Sequence, residues 1–250
     1  MVFLYYSSTA PGRGVTAWAN WRLAIPELAK RSRVLAPDMV GFGFTDRPAG
    51  INYGLDAWVE HAIGVLDALD VAQTDVVGNS FGGAIALALA IRHPQRVRRL
   101  ALMGSVGISF GLTPGLDAAW GYEPSQAAMR RLMDFFAFDR SLVTDELAEL
   151  RYQASIRSGF QESFSAMFPA PRQRWVEAMA SDLESIKAIT HETLIIHGRD
   201  DQIIPLDNSL RLLQLIERSQ LHAFGCCGHW VQIEHAARFN RLVGDFITEK

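Results

Sequence analysis

The sequence predicts an α/β protein, a mostly parallel sheet with helices on both faces and an inserted helical cap, and three observations carry that prediction. Short β-rich runs alternate with helix-period runs up to about residue 106. From roughly 107 to 189 the alternation stops, and the stretch reads as helices with no convincing strand. Beyond 190 the alternation resumes. The core is therefore assigned to 1–106 and 190–250, and the cap to 107–189.

Taken in order, 34–37 reads as a short strand, 55–69 as a helix, 74–77 as a strand, 83–92 as an apolar helix and 97–103 as a strand. The cap is rich in rings, among them Trp120, Phe136, Phe164, Phe168 and Trp175. Some give the cap a core of its own, and others line an apolar pocket facing the sheet. A strand at 193–197, a helix at 206–216, a short strand at 221–224 and a last helix at 235–247 complete the pattern.

Composition excludes several classes. The 250 residues suffice for one large domain with a substantial core. Lys plus Arg is 24 against 27 Asp plus Glu, a net charge of −3, with no basic block to hold nucleic acid. The longest apolar run, 84–91, is too short to span a bilayer, so no membrane partner is expected. Cys226 and Cys227 are adjacent, too close for an ordinary disulfide, which points to a reducing, cytoplasmic compartment. The apolar stretch 2–6 lacks the preceding basic residue and the length of an export signal. No cluster has metal-ligand spacing and no glycine loop suits a phosphate, so neither metal nor cofactor is implied.

Chemistry concentrates at three places. Gly78-Asn79-Ser80-Phe81-Gly82 lies between a strand and an apolar helix, the setting of a nucleophile elbow. Gly-x-Ser-x-Gly arises by chance about 0.1 times in a chain of this composition, so the strand-helix setting gives the motif its weight. A serine hydroxyl needs a base, and a histidine base needs an acid to fix its tautomer. In this arrangement both follow the serine in the order acid, then histidine. Ile196-His197-Gly198-Arg199-Asp200-Asp201 offers two carboxylates after a late strand, of which Asp201 sits at the loop tip and Asp200 points away. Of the histidines beyond it, His229 lies in the glycine-punctuated loop Gly225-Cys226-Cys227-Gly228-His229-Trp230, whereas His222 falls in a strand and His235 at a helix start. Ser80, Asp201 and His229 are the expected catalytic residues, and His197 is read as a packing residue at a strand end.

From about Gly14 onward the chain resembles the meta-cleavage product hydrolases, α/β-hydrolase enzymes that cut a carbon–carbon bond in ring-fission products of aromatic degradation. The resemblance rests on Thr16-Ala17-Trp18-Ala19-Asn20-Trp21-Arg22, Ala36-Pro37-Asp38-Met39-Val40-Gly41-Phe42-Gly43-Phe44-Thr45, the elbow with Gly83, and Gly228-His229-Trp230. It implies an α/β-hydrolase fold and a small dienoate substrate, 2-hydroxymuconic semialdehyde or a 6-alkyl relative. It implies substrate contacts from Asn20, Asn79, Arg151 and Trp230, an oxyanion donor in the backbone of Phe81, and a homo-oligomer. A guanidinium fork suits a planar carboxylate, which Arg172 and Arg174 could also supply. The implied reaction ketonises the substrate, with His229 shuttling the proton, and then cleaves C5–C6 through attack by Ser80 or by water. The alternatives are a carboxylesterase with the same triad and a catalytically impaired small-molecule binder.

The chain departs from that family at one place. The family's His-Gly-(Ser or Gly)-Gly-Pro-Gly loop, source of a second oxyanion donor, is replaced by Ser7-Ser8-Thr9-Ala10-Pro11-Gly12-Arg13-Gly14, with Pro11, which has no N–H, in one register at the donor position. Back-translated with suitable codons and read one base earlier, the stretch from Tyr5 to Arg13 becomes Leu-Leu-Leu-His-Gly-Ser-Gly-Pro-Gly. The expectation is that residues 1–13 are out of frame, that the family's first strands are missing and that the true start lies upstream. Loss of one oxyanion donor costs about 10²–10³ in rate. A frame-corrected chain should therefore bleach a yellow ring-fission product about 10²–10³ times faster than the chain as written; equal rates would make the altered loop genuine and functional.

Overall fold

The computed structural model describes residues 2–7 as backbone and 16–249 in full. Six strands form one parallel sheet. The first half of the chain runs β1 (Val2–Ser7), α1 (Ala17–Trp21), α2 (Ile25–Leu28), β2 (Val34–Leu35), α3 (Leu55–Ala68), β3 (Thr74–Ser80), α4 (Phe81–Arg92) and β4 (Val97–Met103). Six helices follow: α5 (Pro114–Trp120), α6 (Gln126–Phe136), α7 (Asp145–Ser155), α8 (Phe160–Met167), α9 (Gln173–Ala178) and α10 (Leu183–Lys187). The chain closes with β5 (Glu192–Gly198), α11 (Leu206–Leu215), β6 (Ser219–Phe224), α12 (Val231–Glu234) and α13 (Ala236–Thr248).

The strand order is β2-β1-β3-β4-β5-β6, and every pairing is parallel. The order reverses between β1 and β3, and ligands of such sheets sit at the C-terminal strand ends beside that reversal. Ser7, the last residue of β1, pairs with Ser80 there, beside the nucleophile candidate. Stretch 2–7, expected to be out of frame, occupies a strand position inside the sheet. Residues 8–14 of the proposed oxyanion loop, Pro11 included, lie outside the described residues.

Parallel strands are buried on both faces, and all seven residues of β3 are buried. Side chains alternate along the strands. Val76, Leu100, Leu102 and Ile195 face the larger core with α3, α4 and the inserted helices. Val77, Ala101, Met103, Leu194 and Ile196 face the smaller one with α1, α2 and α13. α4 is apolar nearly all round and correspondingly buried, whereas α13 buries only one stripe, Phe239, Val243, Phe246 and Ile247.

Among the described residues, only helices connect β4 to β5. Three of them are started by hydroxyl caps: Thr113 Oγ1 accepts from Leu116 N, Ser125 Oγ from Ala128 N and Thr144 Oγ1 from Leu147 N. Phe168, just after α8, stacks on Trp120 at 4.7 Å and meets Phe81 edge-on at 5.9 Å, seating the insertion on the elbow. No described helix is long and apolar enough to cross a membrane.

Phe239 is fully buried and stacks on Trp21 at 5.9 Å, so it pins α13 to α1. Phe239→Ala should lower unfolding stability by about 3–5 kcal/mol in urea titration; a change below about 1 kcal/mol would show that the second core relaxes without it.

Candidate active site

Ser80 sits where β3 turns into α4, at φ 56° and ψ −121°, a conformation that a non-glycine residue holds only when its surroundings impose it. The turn is as tight as the motif requires: a Cβ on Gly78 would lie 2.4 Å from the carbonyl oxygen of Gly82. Ser80 makes no side-chain cap to α4, so its hydroxyl is not spent on the helix. The first N–H groups of α4, beginning at Phe81, have no partner within the helix and carry the positive end of its dipole. The Phe81 ring is locked edge-on against Trp58 at 4.2 Å and beside Phe42 at 6.0 Å.

Asp201 and His229 come together 28 residues apart. His229 Nδ1 lies 2.7 Å from Asp201 Oδ2, and both side chains are buried. Because the carboxylate accepts, Nδ1 carries the proton and Nε2 is left as the basic nitrogen. Asp201 Oδ1 accepts from Ile203 N at 2.7 Å and Ile204 N at 3.0 Å. Burial alone would raise the Asp201 carboxyl pKa, but the His229 charge and the hydrogen bonds of two imidazoles outweigh it and hold the group well below the usual carboxylate range. Asp200 turns the other way, toward Arg199 and the N–H of Cys227.

Ser80 reaches this pair through the turn after β4. The Ser80 carbonyl accepts from Val106 N at 3.0 Å, and Gly104 in the same turn lies against the His229 ring. At φ 49°, a Cβ on Gly104 would stand 3.2 Å from both Asp201 Oδ2 and His229 Nδ1. Ser80 Oγ and His229 Nε2 are both buried, and neither has a hydrogen-bond partner among the described residues. Ser80, through its carbonyl, and His229, through its ring, thus both flank the segment from Gly104 to Val106.

The other named residues divide into two groups. Trp230, next to His229, stacks on Phe136 at 5.3 Å and carries the Arg151 guanidinium 4.6 Å above its ring. Arg151 is 5% exposed on α7 and borders a cavity of about 660 Å³ shared with α1 and Asp38. Its competitors are placed elsewhere: Arg172 pairs with Asp117, and Arg174 lies on Trp175. Asn20 and Asn79 are buried; Asn79 Nδ2 donates to Met103 O at 3.0 Å.

Three supporting residues carry no local sequence signal. Gln232 Nε2 donates to Asn20 Oδ1 at 2.6 Å across 212 positions, which turns the Asn20 amide nitrogen away from Gln232. Glu234 accepts from the N–H groups of Gly228, Phe138 and Asp139, tying the histidine loop to the end of α6. His197, expected only to pack, is fully buried at the end of β5 with its Nε2 3.3 Å from Asp201 Oδ2. No group of three or more potential metal ligands occurs among the described residues.

Comparison with known proteins agrees with this geometry. A family model described as alpha/beta hydrolase fold matches residues 10–236. The chain is 71% identical over 238 residues to a 2-hydroxymuconate semialdehyde hydrolase of Pseudomonas sp. strain CF600, covering 95% of this chain and 84% of that one. It is 68% identical over 237 residues to a 2-hydroxy-6-oxo-2,4-heptadienoate hydrolase of Pseudomonas putida F1, covering 95% and 86%. Among solved structures, a point mutant of the meta-cleavage product hydrolase CumD superposes with a TM-score of 0.97 at 61% identity, over all of this chain and 91% of that one. A serine-to-alanine mutant of CumD from Pseudomonas fluorescens IP01, complexed with acetates, gives 0.96 at 60% identity, over 99% and 90%.

Asp201→Asn should lower kcat by about 10⁴, because an amide stabilises the wrong histidine tautomer. A carboxyl pKa depressed by folding contributes stability above its unfolded value of about 3.9, lost as pH falls through the folded value. The stability advantage of wild type over Asp201→Asn, read by urea titration, should therefore narrow as pH drops below about 4. A constant difference would mean that Asp201 is not held as a stabilised anion.

Proposed function

Because this chain belongs to the meta-cleavage product hydrolases of the α/β-hydrolase fold, we propose that it hydrolyses the C5–C6 bond of 2-hydroxymuconic semialdehyde or a 6-alkyl 2-hydroxy-6-oxohexa-2,4-dienoate. The observation that carries the proposal is the buried Asp201–His229 pair beside Ser80, with Arg151 stacked on the tryptophan that follows the histidine. The substrate carboxylate is assigned to Arg151, where a planar fork in a water-poor setting matches it, and the dienoate to Asn20 and Asn79. The helices of 107–189 are the cap, and they bring Arg151 over the sheet.

Catalysis starts with ketonisation of the bound dienol, His229 Nε2 moving the proton to C5. Ser80 Oγ then passes its proton to Nε2 and adds to the C6 carbonyl, and the Phe81 N–H holds the oxyanion. Collapse breaks C5–C6; the electron pair flows into the conjugated chain, the proton held on His229 Nε2 passes to the resulting dienolate oxygen, and 2-hydroxypenta-2,4-dienoate leaves with Nε2 again free to act as base. Water, losing its proton to His229, hydrolyses the acyl ester and releases the carboxylic acid. The adjacent free cysteines support a reducing, cytoplasmic setting for this chemistry.

Purified enzyme should bleach the yellow ring-fission product with release of the five-carbon dienoate, and Ser80→Ala should bleach it at least about 10³ times more slowly. Cleavage of nitrophenyl esters with the dienoate colour intact would instead assign a carboxylesterase. Dienoate binding without turnover, once the His-Gly loop is restored, would assign a binding protein.

A further inference from the structure

The ring behind the acid is His197. It is fully buried at the end of β5, and both of its nitrogens have fixed partners. Nε2 lies 3.0 Å from the carbonyl oxygen of Ile204 and 3.3 Å from Asp201 Oδ2; Nδ1 lies 2.6 Å from Ser209 Oγ on α11. A carbonyl oxygen can only accept, so Nε2 must carry a proton. Nε2–H is thus donated to Ile204 with the Asp201 carboxylate 3.3 Å away, and Nδ1 pairs with the Ser209 hydroxyl. Asp201 Oδ2 therefore accepts from His229 on one side and has the His197 Nε2–H 3.3 Å away on the other, while Oδ1 receives two backbone N–H groups.

We propose that His197, oriented by Ser209, is a positioning residue for the hydrolysis assigned above: it anchors the Asp201 carboxylate and sets how strongly that carboxylate holds the proton on His229. The inference rests on Asp201 and His229 serving as the acid and base of that reaction. A carboxylate held by the Ile203 and Ile204 N–H groups at Oδ1 and flanked at Oδ2 by the His197 Nε2–H cannot rotate to follow the His229 ring, so the ring must come to it. Sharing Oδ2 with a second donor also spreads its charge and loosens its grip on the His229 proton, leaving Nε2 free to accept and return a proton within one turnover.

The titratable groups facing Asp201 are few. His229 faces it from the loop before α12 and His197 from β5. The Cys227 thiol nearby stays protonated, since burial, with Glu234 beside it, pushes its pKa up. Asp200 faces Arg199 and the Cys227 backbone.

The test uses His197→Phe, which keeps the ring volume but removes both nitrogens, and His197→Gln, whose amide N–H reaches the place of Nε2. In His197→Phe, kcat on the ring-fission product should fall about tenfold or more with KM little changed. The acid limb of the kcat/KM profile should move to higher pH by at least about half a unit, because the carboxylate then holds the His229 proton more tightly. The downfield proton signal of His229 Nδ1–H should shift as well, and His197→Gln should recover most of the rate and the limb. An unshifted limb and proton signal, with or without loss of rate, would overturn the proposal and leave His197 a packing residue. If His197→Phe fails to fold, Ser209→Ala, which frees the ring without removing it, should shift the limb in the same direction; an unmoved limb there overturns the proposal equally. Loss of all bleaching in Ser80→Ala but not in the His197 variants keeps failure of this inference distinct from failure of the assigned reaction.

Discussion

The molecule turns on one buried carboxylate. Asp201 sits where an isolated charge would be expelled, and it stays ionised because N–H groups surround it: two from the loop backbone and one from His229 as hydrogen bonds, with the His197 Nε2 3.3 Å away. Each donor comes from a segment that the fold must deliver. The loop amides require the turn after β5, His229 requires the chain to return from β6, and Gly104, with no side chain, leaves room for the Asp201 carboxylate and the His229 ring. The parallel sheet, its order reversal and the close glycine contacts are the means of bringing those segments to one point. Once the anion is held, the tautomer of His229 and the basicity of its outer nitrogen follow.

A second constraint acts on the nucleophile. Ser80 occupies a backbone conformation that costs about 1–3 kcal/mol, and the surrounding packing has to offset it. The ring next to it does much of this. Phe81 is wedged among Phe42, Trp58 and Phe168, so the residue proposed to offer an oxyanion N–H is also the one that ties the elbow to the inserted helices. On the other side, Phe136 touches both His229 and Trp230, and its carbonyl accepts the His229 N–H at 2.8 Å. The insertion is thus fastened to both halves of the candidate site, and displacement of α6 would disturb His229 and Trp230 together.

Much of this was legible in the sequence because the signals are local. The strand at 97–103 coincides with β4, since its apolar run is bounded by an arginine-rich start and a glycine. The elbow and the histidine loop announce themselves through glycines whose close contacts admit nothing larger. Other boundaries moved for tertiary reasons. β3 runs on to Ser80 past the expected end at 77 because Gly78, Asn79 and Ser80 pair with β1, and Gly78 and Asn79 also with Leu102 and Met103 on β4, a partnership that no local propensity reveals. β2 shrinks to two residues at the sheet edge. The bond between Gln232 and Asn20 was invisible for the same reason, as was Glu234 reaching back to Phe138. His197 is four residues from Asp201, yet only the loop folding back on β5 shows that its ring faces the carboxylate rather than the core alone.

The most direct test of the central claim, that Ser80 and His229 act as one unit aligned by Asp201, is the kinetics of Ser80→Ala, His229→Ala and the double variant on the same ring-fission product. Ser80 is activated only through His229, so His229→Ala and the double variant should fall to the same residual rate within about threefold, while Ser80→Ala, which keeps the imidazole for ketonisation, falls no lower. Losses that multiply in the double variant would mean that the two side chains contribute separately, and the shared relay would have to be abandoned.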